Sequence, residues 1–163
     1  MNLLFPRSIL LRLGKESLRK CSLTPLRRRN DLPIDWIDFK FGDEVDVGEA
    51  TLLHHEGDLL SPADVSRPLL LIDSSWRDLS RVLKGVRGVL HKRSLPDDLV
   101  TAYPRRSSTY KDPVNGLASI EALYAAWKLL GYSEESLLQG YYWREIFFEL
   151  NPTMLPQDSQ LGP

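Results

Sequence analysis

The feature that most constrains the fold is the run of four aliphatic residues 69–72, which ends at the polar stretch Asp73-Ser74-Ser75-Trp76. An uninterrupted aliphatic run is typical of a strand buried on both faces, as in parallel sheets covered by helices. In open α/β sheets, ligands bind beyond the carboxyl ends of such strands. Asp73 and Trp76 are therefore candidate functional residues, although Asp73 or Ser74 could instead cap a helix that begins near Trp76.

Length and composition place the chain among single-domain globular proteins. Its 163 residues suit one domain over 1–163, with 1–7 and 153–163 as flexible ends. We expect no membrane partner, because no apolar run approaches the roughly 20 residues that span a bilayer. The single cysteine, Cys21, excludes an internal disulfide and predicts a cytoplasmic location. The three histidines lack metal-ligand spacing, so no metal site is expected.

Charge is strongly segregated along the chain. Residues 1–30 carry eight basic side chains against one acidic, and residues 76–113 carry nine against four. Between them, residues 31–75 carry two basic side chains against eleven acidic. The basic segments 7–29 and 77–111 could converge on one anion-binding surface, or they could be solvated on opposite sides of the molecule.

The remaining pattern predicts short strands and helices in alternation. The clearest helix is 117–131, where apolar residues recur at helical spacing, Ser119 caps the start and Gly131 ends it. A polar loop is predicted over 103–116. The other predicted elements are strands at 8–13, 33–41, 49–55 and 99–102, a loop at 56–58, short helices beginning at Ser22 or Thr24 and at Ser61, a helix from Trp76 through Val86, and a final pair of helices at 133–138 and 141–150.

Several short motifs in order resemble one family, the small-subunit ribosomal RNA aminocarboxypropyltransferases of archaea and eukaryotes. That family shares a superfamily with the DTW-domain transfer-RNA aminocarboxypropyltransferases. The likeness extends from about residue 8 to residue 152. The matching pieces are Lys20-Cys21-Ser22, Leu60-Ser61-Pro62-Ala63-Asp64, Ile72-Asp73-Ser74-Ser75-Trp76, Leu95-Pro96, Leu99 to Pro104, Leu117 to Ala122, and Trp143 with Phe148-Glu149-Leu150-Asn151.

The resemblance implies a SPOUT-like α/β fold with a parallel sheet, flanking helices and a C-terminal trefoil knot. It implies S-adenosylmethionine as cofactor and transfer of its 3-amino-3-carboxypropyl group to a ring nitrogen of a uridine-type base in structured RNA. Asp73 would be catalytic, as the proton acceptor or the group that holds the base. The residues implied in cofactor binding are Ser22, Ile72, Trp76, Leu95, Leu99, Leu117 and Ser119, of which Trp76 would pack on the sulfonium and Ser22 would hold the carboxylate.

The chain departs from the family pattern at three positions. Ser74 stands in place of a cysteine, Tyr103 in place of an asparagine, and His54 in place of a proline in a cofactor-contacting turn. Three alternatives therefore stay open: a transfer-RNA aminocarboxypropyltransferase of the DTW type, a SPOUT-type methyltransferase, and a non-catalytic RNA-binding ribosome-assembly factor.

Overall fold

Five strands form one sheet at the centre of the computed structural model, which describes residues 6–14, 22–104 and 116–155. The strand order is β2-β1-β4-β3-β5, and every neighbouring pair is parallel. The α/β fold with a parallel sheet and flanking helices is thereby confirmed. The strands are β1 Ser8–Leu13, β2 Ile34–Phe39, β3 Val45–Leu59, β4 Leu69–Asp73 and β5 Val86–Ser94.

Helices flank the sheet and connect its strands. The α-helices are α1 Thr24–Arg27, α2 Trp76–Leu83, α3 Ser119–Leu129 and α4 Arg144–Leu150. Three 3-10 helices cover Pro62–Ser66, Glu135–Leu138 and Pro152–Met154. The middle of the predicted polar loop, residues 105–115, and the Lys20-Cys21 part of the first motif lie outside the described residues.

The central strand β4 is buried on both faces, which explains its aliphatic run. Leu69 and Leu71 pack with α3 in one apolar cluster, whereas Leu70 and Ile72 pack with α2 in another. Successive side chains of a strand point to opposite faces, so a strand covered on both sides needs apolar residues at every position. Complete burial of one such leucine contributes about 1.5–3 kcal/mol.

Helix α3 forms hydrogen bonds with two distant parts of the chain, at Ser8 and at Met154. The side chain of Trp127 is fully buried, and its Nε1 donates a hydrogen bond of 2.8 Å to the Ser8 Oγ at the start of β1. The Tyr124 hydroxyl donates to the backbone oxygen of Met154 at 2.8 Å, and burial raises the pKa of this tyrosine. The aromatic side chains of Tyr124 and Trp127 are therefore part of the core.

Three sequence-based assignments around β5 were wrong. Val86 was assigned to the preceding helix but begins β5, residues 56–58 continue β3 rather than form a loop, and residues 99–102 form no strand. The glycine at 57 permits the longer β3, because a Cβ there would lie 2.4 Å from the Lys92 backbone oxygen on β5. That residue also has a φ of +102°, which favours glycine.

The predicted helix starts were partly right. Ser61 precedes the 3-10 helix Pro62–Ser66, and its backbone N–H donates to Asp64 Oδ2 at 3.0 Å. Ser119, however, does not cap α3: the N-cap position belongs to Ala118, and Ser119 is the first helical residue. Within the described ranges, no helix combines the length and hydrophobicity that crossing a membrane requires.

Candidate active site at the carboxyl end of the sheet

Asp73, the last residue of β4, reaches toward the amino end of α3. Its Oδ1 accepts a hydrogen bond of 2.6 Å from the Ser119 hydroxyl, and its Oδ2 lies 3.8 Å from Nε of Arg12 on β1. The Asp73 side chain is 15% exposed, so its carboxylate is supported from within the protein yet open to a ligand. This location fits the rule that ligands of open α/β sheets bind at the carboxyl ends of strands.

The alternative in which Asp73 or Ser74 caps the next helix is wrong. Ser75 occupies the N-cap position of α2, and its hydroxyl donates to Asp78 Oδ2 at 3.0 Å. The Ser74 hydroxyl donates to the backbone oxygen of Ser75. Trp76 begins α2, and its side chain lies outside the described part of the structure. Asp73 is therefore not the N-cap of α2.

Two of the predicted cofactor residues meet Asp73 at the first turn of α3. Ser119 binds its carboxylate directly, and the Ser22 hydroxyl accepts a hydrogen bond of 3.1 Å from the backbone N–H of Ile120. This hydrogen bond attaches Ser22, which lies just before α1, to the amino end of α3. Ser22 and Asp73, which are far apart in sequence, thus contact consecutive residues of this turn, Ile120 and Ser119.

The side chains of the aliphatic residues in the predicted set are buried in the core. Leu95, Leu99 and Leu117 are at most 5% exposed, and their side chains belong to the α3-side core. Ile72 packs instead with Leu79 on the opposite face of the sheet. The structure therefore does not bring the side chain of Ile72 to Asp73.

The segment after Leu99 is held by buried side chains, which explains why it is ordered without being a strand. Glu121 is fully buried and accepts hydrogen bonds of 2.7–2.9 Å from the Thr101 hydroxyl, the Ala102 and Ala118 backbone N–H groups, and the Tyr141 hydroxyl. An acidic residue in the first turn of a helix ordinarily gains a favourable interaction with the helix dipole. The structure shows that Glu121 connects the 101–102 loop, α3 and Tyr141.

Asn151 completes the attachment of this loop. Its Oδ1 accepts from the Val100 N–H at 2.7 Å, and its Nδ2 donates to the Val100 and Phe147 backbone oxygens, each at 2.8 Å. The amide thus reproduces both hydrogen bonds that a neighbouring strand would supply. Residues 99–102 were predicted as a strand, but the group that pairs with Val100 is a side chain.

Arg12 is a residue that the sequence reasoning missed. It pairs in register with Asp38 of β2 on one side and Asp73 of β4 on the other, so these side chains form a row on one face of the sheet. Arg12 is 4% exposed, and its Nη2 has no hydrogen-bond partner within the described residues. The signal in the sequence was an arginine inside the otherwise aliphatic strand 9–13.

The two basic segments occupy different parts of the sheet. Arg12, Arg27 and Arg28 line a cleft at the carboxyl end of β1, whereas the second segment forms β5 at the far edge. The β5 cations pair with acids on or near β3: Arg87 with Glu44, His91 with Glu49 at 2.9 Å, and Lys92 with Glu56 at 3.1 Å. Most of the β5 charge is thus opposed by neighbouring carboxylates.

His54, one of the departures from the family pattern, has a structural role. Its ring is 7% exposed and stacks on His55 with centroids 4.5 Å apart, and its Nδ1 accepts from the Glu56 N–H at 3.1 Å. Burial lowers the pKa of His54, which keeps the imidazole neutral and able to accept that bond. The described residues contain no cluster of His, Cys, Asp and Glu that could hold a metal ion.

Fold and site together define an α/β protein with a parallel sheet and a serine-supported carboxylate at its carboxyl end. Residues 52–161 match the model of the family described as "Ribosome biogenesis protein, C-terminal", and the chain belongs to this family. It is 32% identical over 140 residues to the 16S rRNA aminocarboxypropyltransferase of Halobacterium salinarum, covering 85% of this chain and 78% of that protein.

A solved structure agrees with this assignment. The fold is similar to that of the SAM-dependent rRNA:acp-transferase Tsr3 from Vulcanisaeta distributa, with a TM-score of 0.68 and 29% sequence identity. The match covers 92% of this chain and 80% of that one. The family resemblance seen in the sequence motifs is therefore confirmed for the ribosome-biogenesis family.

Proposed function

We propose that this protein is an S-adenosylmethionine-dependent aminocarboxypropyltransferase whose acceptor is a ring nitrogen of a uridine-type base in small-subunit ribosomal RNA. The observation that carries the proposal is that Asp73, at the carboxyl end of β4, and Ser22 contact consecutive residues of α3, Ser119 and Ile120. Two similar proteins also support the proposal: a 16S rRNA aminocarboxypropyltransferase and a SAM-dependent rRNA:acp-transferase.

The chemistry of the site suits this cofactor. The partly exposed carboxylate of Asp73 can face a cationic group, and the hydroxyls of Ser22 and Ser119 can bind the polar end of an amino acid. The buried side chains of Leu95, Leu99 and Leu117 form an apolar wall. The backbone groups of these residues would be the partners of adenine and ribose. The aromatic residue Trp76 at the start of α2 could attract a sulfonium.

In the proposed reaction, Asp73 accepts the proton of the acceptor ring nitrogen as that nitrogen forms a bond to carbon. Bound S-adenosylmethionine supplies an electrophilic methylene beside its sulfonium; the carbon–sulfur bond breaks, and the electron pair remains on sulfur in methylthioadenosine. The Ser119 hydroxyl holds Oδ1 of Asp73 and so fixes the orientation of the carboxylate that accepts the proton. Orientation by the surrounding backbone selects this methylene over the methyl group.

Further parts of the proposal concern classification and surroundings. We propose a SPOUT-like sheet with a C-terminal trefoil knot, a distant relationship to the DTW-domain enzymes, one domain over residues 1–163 and a cytoplasmic location. The RNA would be bound through the basic segments 7–29 and 77–111. The support for these statements is the order of the motifs, the segregation of charge and the single cysteine.

A labelling experiment tests the function. The protein is incubated with purified rRNA or tRNA and with S-adenosylmethionine labelled either in the aminocarboxypropyl chain or in the methyl group. We expect label from the chain in rRNA, together with equimolar methylthioadenosine. Transfer of methyl label would instead identify a methyltransferase, labelled tRNA would identify the transfer-RNA alternative, and RNA binding without transfer would identify an assembly factor.

Replacing Ser119 by alanine should weaken transfer without abolishing it. The substitution removes the 2.6 Å hydrogen bond to Asp73, and a bond to a charged group contributes about 1.5–3 kcal/mol, which corresponds to a loss of roughly 10- to 150-fold in kcat/KM. The control is Ser66→Ala, at an exposed residue that precedes β4 and therefore lies at the opposite end of that strand from Asp73, and this variant should retain wild-type transfer. Equal rates for Ser119→Ala and wild type would remove Ser119 from the site.

A further inference from the structure

The cleft beside Asp73 has the properties of an anion-binding site. It has a volume of about 540 Å³ and lies at the carboxyl end of β1. Its lining residues are Arg12, Leu13, Gly14, Thr24, Arg27, Arg28 and Asp38. The lining carries three arginines against one carboxylate, and Asp73, 3.8 Å from Arg12, offsets a second arginine, so the cleft keeps a net positive charge.

The one carboxylate of the cleft is already bound. Arg27 donates to both oxygens of Asp38, at 2.7 and 2.8 Å, and the same guanidinium lies 5.3 Å from the centroid of the Trp36 ring. These hydrogen bonds hold the pKa of Asp38 below its ordinary value. Asp38 is therefore hydrogen-bonded to Arg27, although the charge of Arg12 also lowers the pKa of Asp38.

Arg12 supplies the second, independent observation. The side chain of Arg12 is only 4% exposed, and it lines the cleft. Its Nη2 makes no hydrogen bond with any described residue. A buried guanidinium N–H without a partner costs free energy, because it has lost water and gained nothing. An anion in the cleft would give this donor its partner.

The position of Arg12 relates the cleft to the proposed reaction. Its Nε lies 3.8 Å from Oδ2 of Asp73, the residue to which the proton of the acceptor base is assigned. An anion bound at Nη2 is therefore adjacent to the base that Asp73 contacts. In RNA, the anion next to a base is the phosphate of the same or the neighbouring nucleotide.

We propose that this cleft is a phosphate subsite that binds the RNA backbone beside the acceptor nucleotide, with Arg12 and Arg28 as its donors. The proposal rests on the proposed function. The carboxylate of the cofactor is the other source of an anion, but S-adenosylmethionine carries a net positive charge, with a sulfonium and an ammonium against one carboxylate. A cleft with an excess of arginines favours the phosphate.

Binding measurements without cofactor test the subsite. A short fluorescein-labelled oligouridine is titrated with the full-length protein, and fluorescence anisotropy gives Kd over a series of salt concentrations. For Arg12→Gln we expect Kd to rise about tenfold at low salt. The slope of log Kd against log salt should fall by about 0.7, the contribution of one phosphate of a single strand.

A second variant and a control separate this site from general charge. Arg28→Gln, at an exposed residue of the cleft, should show the same change in slope even if Arg12→Gln is too unstable to measure. Lys128→Gln also removes one positive charge, but near the other end of α3, where its amine donates to the Leu155 backbone oxygen. This control should leave the slope unchanged.

Calorimetry with S-adenosylmethionine distinguishes the two sources of the anion. If Arg12→Gln and Arg28→Gln bind the cofactor normally and RNA weakly, the phosphate subsite stands. Weakened cofactor binding with unchanged RNA binding would assign the cleft to the cofactor carboxylate and overturn the proposal, as would unchanged binding of both. Absence of group transfer by the wild-type protein would refute the proposed function, whereas the anisotropy series would still decide on the subsite.

Discussion

Replacing Asp73 by asparagine is expected to reduce kcat for aminocarboxypropyl transfer by about 10²- to 10⁴-fold, the range that a positioned general base contributes. Asparagine has the same shape, and its amide oxygen can accept the hydrogen bond from Ser119, so the local structure should persist. It cannot take up the proton that the ring nitrogen loses. Single-turnover transfer to rRNA measures the rate, and calorimetry should show that S-adenosylmethionine still binds.

A matched control shows that the loss belongs to the site. Asp35→Asn makes the same chemical change on β2, where the exposed Asp35 pairs with Arg7 at 2.9 Å near the amino end of the strand. It should transfer at the wild-type rate. If Asp73→Asn also retained full transfer, the proton would leave by another route and Asp73 would not be the base.

Replacing Glu121 by alanine is expected to be the most destabilising of these substitutions. Four donors lose their acceptor: the Thr101 and Tyr141 hydroxyls and the N–H groups of Ala102 and Ala118. A buried donor that loses its acceptor costs about 1–3 kcal/mol. Loss of the shared buried acceptor of several donors costs about 3–5 kcal/mol. Urea unfolding should show a decrease of that order in the free energy of unfolding.

The matched control is Glu149→Ala on the exposed side of α4. Surface substitutions of this kind usually change stability by no more than about 0.5 kcal/mol. Because Glu121 also holds residues 101 and 102 beside the site, its alanine variant should lose transfer at temperatures where it is still folded. A Glu121→Ala protein as stable as the control would show that these four hydrogen bonds contribute little.

The sequence predicted the interior of this fold better than its edges. Strand β4 and helix α3 were assigned correctly, since burial on both faces or on one helical stripe leaves a clear hydrophobic pattern. Strand β5 was missed because it is an edge strand of mostly polar residues, and charged side chains at an edge prevent unwanted pairing with other chains. Its strand character comes from pairing with β3, which local sequence does not encode.

The candidate site was predicted in part for a similar reason. Asp73, Ser22 and Ser119 were identified because motifs marked them, and in the structure Asp73 and Ser22 both contact the first turn of α3, where Ser119 lies. Arg12 and Glu121 were missed as site residues, since their importance comes from partners distant in sequence. No periodicity reveals that an arginine in β1 will lie between two aspartates, because that depends on the order of strands in the sheet.

The hydrogen bond between Trp127 and Ser8 has a consequence for how the protein is made. The two residues are 119 positions apart, so at a synthesis rate of about 5–20 residues per second, roughly 6–24 s separate their translation. The first strand also needs β4, whose residues follow it by about 60 positions, for its central pairing. The aliphatic strand β1 therefore emerges from the translating ribosome long before its neighbours, and until they follow, its apolar side chains have no native partners to cover them.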